Sequence, residues 1–176
     1  MHSKEDLLEL ILNNPDEYRS YKSEIGDKEL DLTELDFSNV NIDSIDFSNA
    51  DLSGSSFNDS HLSLVNFTNC DLKAVDFTRA NVVESDFSES LLNGTDFSFA
   101  VVDFCNFTDA DMAGAILIEA DLSNSDFTAS QNLTACRFDD TTLWPDPELL
   151  PEEFDTTYSK DLSSLDDEDE ISSEQY

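Results

Sequence analysis

NADLSGSSFNDSHLSLVNFTNCDLKAVDF, residues 49–77, carries a large apolar side chain at every fifth position: Leu52, Phe57, Leu62, Phe67, Leu72 and Phe77. An α-helix repeats every 3.6 residues and a strand every two, so neither element alone accounts for this spacing. Followed outward, the period holds from Leu32 to Phe127 over twenty consecutive sites. A short fixed period means self-similar units, each burying its apolar face against its neighbours.

The other positions repeat too. Two residues before each centre the side chain is mostly small or slim, as at Ala50, Ser55, Val65, Cys70, Ala80, Ala100 and Ala120. One residue before the centre stands Asp or Asn, except at Ser56, His61, Leu91, Val101 and Ile116. Ser or Thr often follows the centre, and such short polar side chains bond nearby backbone groups and favour turns over helix. NADLS at 49–53 and EADLS at 119–123 match the unit A-(D/N)-L-x-x letter for letter, so the chain resembles the pentapeptide-repeat family.

That resemblance implies an all-β fold, a right-handed quadrilateral β-solenoid with four units per coil and about five to six coils. Stacked coils then lie about 4.8 Å apart, the spacing of hydrogen-bonded strands. Centres twenty residues apart form columns. One reads Phe37, Phe57, Phe77, Phe97, Leu117 and the opposite one Phe47, Phe67, Phe87, Phe107, Phe127, with two aliphatic columns between them. After Phe127 the next centres are read as Leu133, Phe138 and Leu143, which requires one inserted residue within 128–132. A bulge or wider corner absorbs such an insertion.

Exposed coil ends invite aggregation, so caps are expected. Ser3 with Asp6 approximates a capping box ahead of Leu7, Leu8, Leu10, Ile11 and Leu12, and Asn14-Pro15 opens a second helix. The division expected is a helical cap over 1–31, a spine over 32–144 and an acidic Pro-containing tail over 145–176. Pro145, Pro147 and Pro151 forbid continuation of the ladder. Pro151 is expected to open a short helix over 151–165 with Phe154, Tyr158, Leu162 and Leu165 on one face, fit for a cap or an end-to-end dimer. The run Asp166-Asp167-Glu168-Asp169-Glu170 has almost nothing to bury and reads as disordered.

Formal net charge is -33, from 41 acidic and 8 basic residues. Such a field repels nucleic acid and anionic membranes and attracts basic surfaces, which excludes direct nucleic-acid binding. Cys70, Cys105 and Cys136 fall on the slim inward position and read as buried free thiols. With no signal peptide and no long apolar segment, the reading is a bacterial cytoplasmic protein.

No catalytic constellation emerges. His2 is terminal and His61 stands alone on an outward position, while the carboxylates follow the repeat without pairing in a cleft. The spacings of EF-hands, Gly-rich calcium repeats and zinc sites are missing, so no metal or cofactor is expected. Apolar residues at outward positions depart from the motif: Val83, Leu91, Phe99, Val101, Phe104, Ile116 and Ile118. Either a partner covers them or an end of the chain folds back over them.

Two functions follow. The first is a non-enzymatic, rigid, acidic protein–protein interaction module whose partner carries a basic or mixed basic-apolar surface. The second rests on the similarity to pentapeptide proteins of the quinolone-resistance type, which mimic DNA on type II topoisomerases. Under it the carboxylates stand in for phosphates and the partner is DNA gyrase. A monomer or an end-to-end homodimer is expected in either case.

Overall fold

The computed structural model describes residues 2–152 and 154–157. Two helices, α1 (Lys4–Asn13) and α2 (Pro15–Ile25), precede a stack of short parallel strands. β1 (Leu30–Asp31) pairs with β3 (Ala50–Asp51). β2 (Asn41–Asp43), β4 (His61–Ser63), β5 (Asn81–Val83) and β6 (Val101–Asp103) form one parallel sheet in which Ile42, Leu62, Val82 and Val102 align. Single parallel bridges with the same twenty-residue offset, such as Asp36 to Ser56 and Asp46 to Asn66, stack the remaining sides. One turn of the stack therefore spends twenty residues, or four repeats.

The repeats centred on Leu32 to Leu117 bend because the second residue after the centre takes a left-handed backbone, as at Asn39, Asn49, Asn69 and Gly54. The Asp before the centre holds the bend. Asp36 accepts the Ser38 N–H at 2.9 Å, Asp76 that of Thr78 at 2.8 Å and Asp96 that of Ser98 at 2.8 Å. This local bond, which competes with helix, is why Asp and Asn recur there.

The axis is filled with aromatic rings. Phe57, Phe77 and Phe97 stack face to face with centroids 5.0 and 4.9 Å apart, and Phe67, Phe87 and Phe107 do so at 4.8 and 4.9 Å. The two columns meet edge to face, as between Phe77 and Phe87 at 5.9 Å. Both geometries are the favoured ones for aromatic pairs. The slim position carries chemistry as well as small volume: Ser55 Oγ donates to the Leu32 carbonyl at 2.8 Å, Thr95 Oγ1 to Leu72 at 2.7 Å and Cys70 Sγ to Phe47 at 3.0 Å.

The N-terminal helices sit on the first coil. Ser3 and Asp6 form a reciprocal capping box, and Leu7, Leu10, Ile11 and Tyr18 are buried. Four side chains donate to backbone carbonyls of that coil: Lys4 Nζ to Thr33 (2.8 Å), Arg19 Nη2 to Asp43 (3.0 Å), Tyr18 Oη to Asp46 (2.8 Å) and Lys22 Nζ to Ser48 (2.5 Å). In the next coil the equivalent carbonyls receive backbone N–H groups from the coil above: Ser53 accepts from Glu34, Ser63 from Ser44, Asn66 from Phe47 and Thr68 from Asn49. Side chains of the helices thus replace the hydrogen bonds of an absent coil.

The far end agrees with the sequence reading at its first irregularity and departs from it at two later points. Gln131 still pairs with Asp111 at twenty residues, and the extra residue enters at left-handed Asn132, the last position of the expected 128–132, ahead of the 3-10 turn Leu133–Ala135. A second extra residue enters between Arg137, which pairs with Ile116, and Leu143, which pairs with Asp121. Leu143 is therefore no inward centre: it is 53% exposed, and Trp144 turns toward Phe127, Phe138 and Phe154 instead. Finally, the described part of 151–165 makes turns and no helix. The Phe154 N–H donates to Pro151, and the Asp155 carboxylate takes both the N–H and the hydroxyl of Thr157, which diverts the backbone from helix. Tyr158, Leu162, Leu165 and the acidic run 166–170 lie outside the described residues.

Candidate functional site

The outward apolar residues do not form one patch. Leu91 bridges Asp71 and Asp111, half a turn of the stack from Val101, in a shallow groove lined by Asp27, Glu29, Asp51, Asp71 and Glu89. Ile116 and Ile118 are half-buried in the coil after Asp96 and Ser98, where the Ile118 carbonyl accepts the Phe99 N–H at 2.9 Å. Val83 is half-buried on β5.

Val101, Phe99 and Phe104 do belong together. Val101 is the exposed first residue of β6, Phe104 follows that strand directly, and Phe99 stands two residues before it. Phe99 and Phe104 thus occupy the two corners that bound the sheet face in one coil, and they are 47% and 62% exposed. Leu64, absent from the sequence reading, follows β4 at the same corner as Phe104 and is 53% exposed. Register carries the face onward from Val101 through Asp121 to Leu143, also exposed.

The corner residues share a backbone peculiarity. Leu64, Phe99 and Phe104 have φ of 53, 62 and 53°, in the left-handed region that bulky side chains populate least. At nearly every other left-handed corner stand Gly, Asn, Asp, Glu, Ser or Arg. The three bulky apolar exceptions all border the sheet face. Leu64 went unread because it lies in the run Leu62-Ser63-Leu64-Val65, where an apolar residue looks like core; its offset of two from the centre was the available signal.

Carboxylates surround these residues. Asp43, Asp103 and Asp121 point outward along the face, with Asp59, Glu84 and Glu119 at its corners. Hydrogen bonds from Ser63 and Ser44 hold Asp43 below the usual carboxylate range, helped by the Arg19 charge. Arg79, in the Phe99 corner column, pairs with Asp59 at 3.2 Å. Burial pushes the thiols of Cys70, Cys105 and Cys136 up to about 12, so none is a ready nucleophile. Among the described residues no group of His, Cys, Asp and Glu is arranged to hold a metal, and no helix is long and apolar enough to cross a membrane. The arrangement offers a flat contact face with a few hydrophobic projections in an acidic field.

No curated protein sequence matches the chain. Solved structures similar to it include a pentapeptide repeat protein of the Arabidopsis thaliana thylakoid lumen, 33% identical over 61% of this chain and 70% of that one, with a TM-score of 0.46. A Nostoc pentapeptide repeat protein is 18% identical over 78% and 84%, with a TM-score of 0.47. QnrB1, a plasmid-mediated fluoroquinolone resistance protein, is 18% identical over 71% and 77%, with a TM-score of 0.25. Family models described as "Pentapeptide repeat region" and "Pentapeptide repeats (8 copies)" match residues 40–114 and 105–144. With the repeat read in the sequence and stacked at twenty residues in the structure, the chain belongs to the pentapeptide-repeat family.

Proposed function

We propose that the protein is a non-enzymatic interaction module: a rigid acidic rod that presents its β2–β4–β5–β6 face to another protein. The rod is read as a right-handed quadrilateral solenoid of five to six coils over 32–144, capped by 1–31 and followed by the tail 145–176. A monomer and an end-to-end homodimer serve this reading equally. Three free, buried thiols suit a reducing compartment such as a bacterial cytoplasm.

One observation carries the proposal. Among the described residues, bulky apolar side chains occupy left-handed, exposed corners only where those corners border this face. Folding alone gains little from Phe99 or Phe104 there, since each keeps about half or more of its surface in water in a disfavoured backbone region. A partner that buries them supplies the missing gain. The test is affinity capture from the host with the wild-type protein and with a Phe99→Ser, Phe104→Ser variant. A partner retained by the folded variant at full affinity overturns the reading.

A second reading, a DNA mimic acting on gyrase, is favoured by a different side. Asp46, Asp86 and Asp126 recur every second coil, about 10 Å apart at strand spacing, in a column linked by parallel bridges. The Ser48, Ser88 and Thr128 N–H groups fix these carboxylates. Purified protein that leaves gyrase supercoiling unchanged removes this reading.

A further inference from the structure

Resting on the sheet face as the contact site, we infer that its occupant is a basic amphipathic helix lying along the axis of the stack. β4 and β5 have strand neighbours on both sides, β6 continues by the Val101–Asp121 bridge, and at the edge strand β2 the Asp43 carbonyl already accepts from Arg19 of α2. The face therefore offers no free backbone ladder to an added strand, and a partner must dock by side chains.

The projections fit a helix. Leu64 and Phe104 share one corner two coils apart, and Val101 and Leu143 lie two paired steps apart along the face. Two coils span about 10 Å, and two turns of helix, seven residues, rise about 10.5 Å. A helix parallel to the axis thus brings an apolar residue into phase with each pair. Across the face, Phe99 and Phe104 are five residues apart, at most about 17 Å along an extended chain, which leaves room for one helix about 10–12 Å across above Val101.

Charge selects among occupants. The face is set in Asp43, Asp59, Glu84, Asp103, Glu119 and Asp121, and the nearby Arg79 is paired. The tail of this chain carries 12 acidic and 1 basic residues over 145–176, and a second copy brings the same net charge of -33, so both meet like charge. A helix with Lys or Arg flanking an apolar stripe meets complementary charge and complementary apolar surface together.

The test uses the full chain and three synthetic peptides of about 14 residues, about 21 Å long as helices. One has Leu and Lys at helical spacing, one has the same residues in alternating order, and one has Ser in place of every Leu. Binding is measured by calorimetry at about 0.15 M salt, where the screening length is about 8 Å, with circular dichroism for helix gain. We expect the helical peptide to bind at least about tenfold tighter than either control and to gain helix, since tenfold is about 1.4 kcal/mol. Phe99→Asn with Phe104→Asn, which suit a left-handed corner, lowers that affinity about tenfold, and Leu91→Ser leaves it unchanged. If the alternating peptide binds more tightly and the double variant still loses it, the face stands and the helical partner falls. If the Lys–Ser peptide binds as well as the others and the double variant changes nothing, charge alone governs and both readings fall.

Discussion

Tyr18 donates its phenolic hydroxyl to the Asp46 carbonyl at 2.8 Å, while its ring lies 6.3 Å from that of Phe47 at the head of an aromatic column. One fully buried side chain from α2 thus covers the end of the column with a tilted ring, 52° from the plane of Phe47, and supplies a hydrogen bond of the missing coil. Burial pushes its own ionisation far above the ordinary tyrosine value, so the hydroxyl stays a donor at any ordinary pH. Tyr18→Phe keeps the ring and leaves the carbonyl unpaired, for a loss of about 1–2 kcal/mol. Tyr18→Ala also opens a cavity, for about 3–5 kcal/mol, and bares a ladder edge. Denaturant melts give both values, and equal losses for the two variants would mean that the ring contributes nothing.

Phe77→Ala or Phe87→Ala should cost about 3–5 kcal/mol, since each removes a ring held on two sides by stacked neighbours and on others by edges. Asp76→Asn or Asp86→Asn keeps an acceptor for the Thr78 or Ser88 N–H and should cost far less. The reverse order in urea melts would invert the assignment of inward and outward positions.

These effects trace back to residues whose roles differ in legibility. The phenylalanine columns are readable because the period and the stacking offset both follow from the sequence. So is the corner role of Asp, because its bond to the backbone N–H two residues on is local to the repeat. Lys4, Arg19 and Lys22 are not: in an acidic helix they look solvated, and only the three-dimensional match to Thr33, Asp43 and Ser48 carbonyls reveals them as ladder substitutes. Leu143 misleads because two insertions, one at Asn132 and one before Leu143, shift a period that a linear count carries forward unchanged. Leu91 misleads for another reason, since sequence proximity to Phe99 and Val101 conceals a half-turn of the coil.

Acid should act through the held carboxylates. Asp111 lies below its ordinary value because Asn132 and Asn93 donate to it, with the Ala113 N–H and Lys73 adding to the effect. A carboxylate whose folded value is lowered contributes stability above the unfolded value of 3.8, and that contribution is lost as pH falls through the folded value. The stability difference between wild type and Asp111→Asn should be constant above about pH 5 and shrink below about pH 4. A difference that instead grows with acid would show that hydrogen bonding does not lower this group.

The thiols should be silent in the folded protein. Cys70 and Cys136 donate to the Phe47 and Met112 carbonyls, each at 3.0 Å, and burial raises both to about 12. A thiol-reactive dye at neutral pH should react with none of the three cysteines until denaturant unfolds the stack, and then with all of them. Rapid labelling of native protein would mean that the coils open locally far more often than their packing implies.

The corner phenylalanines should behave oppositely to those of the core. Phe99→Asn and Phe104→Asn remove large side chains but place a residue tolerant of left-handed backbone at φ of 62 and 53°. Their side chains are about half exposed or more, so little burial is lost on the folded side. The thermal midpoint should stay level or rise, with a gain of at most about 0.5–1 kcal/mol, whereas the same change at Phe97 or Phe107 should unfold the protein. Stability that improves while binding to the sheet face fails would mark these two residues as retained for contact. A corner substitution as damaging as a core one would mean that another part of the chain already covers them, and the sheet face would lose its claim to a partner.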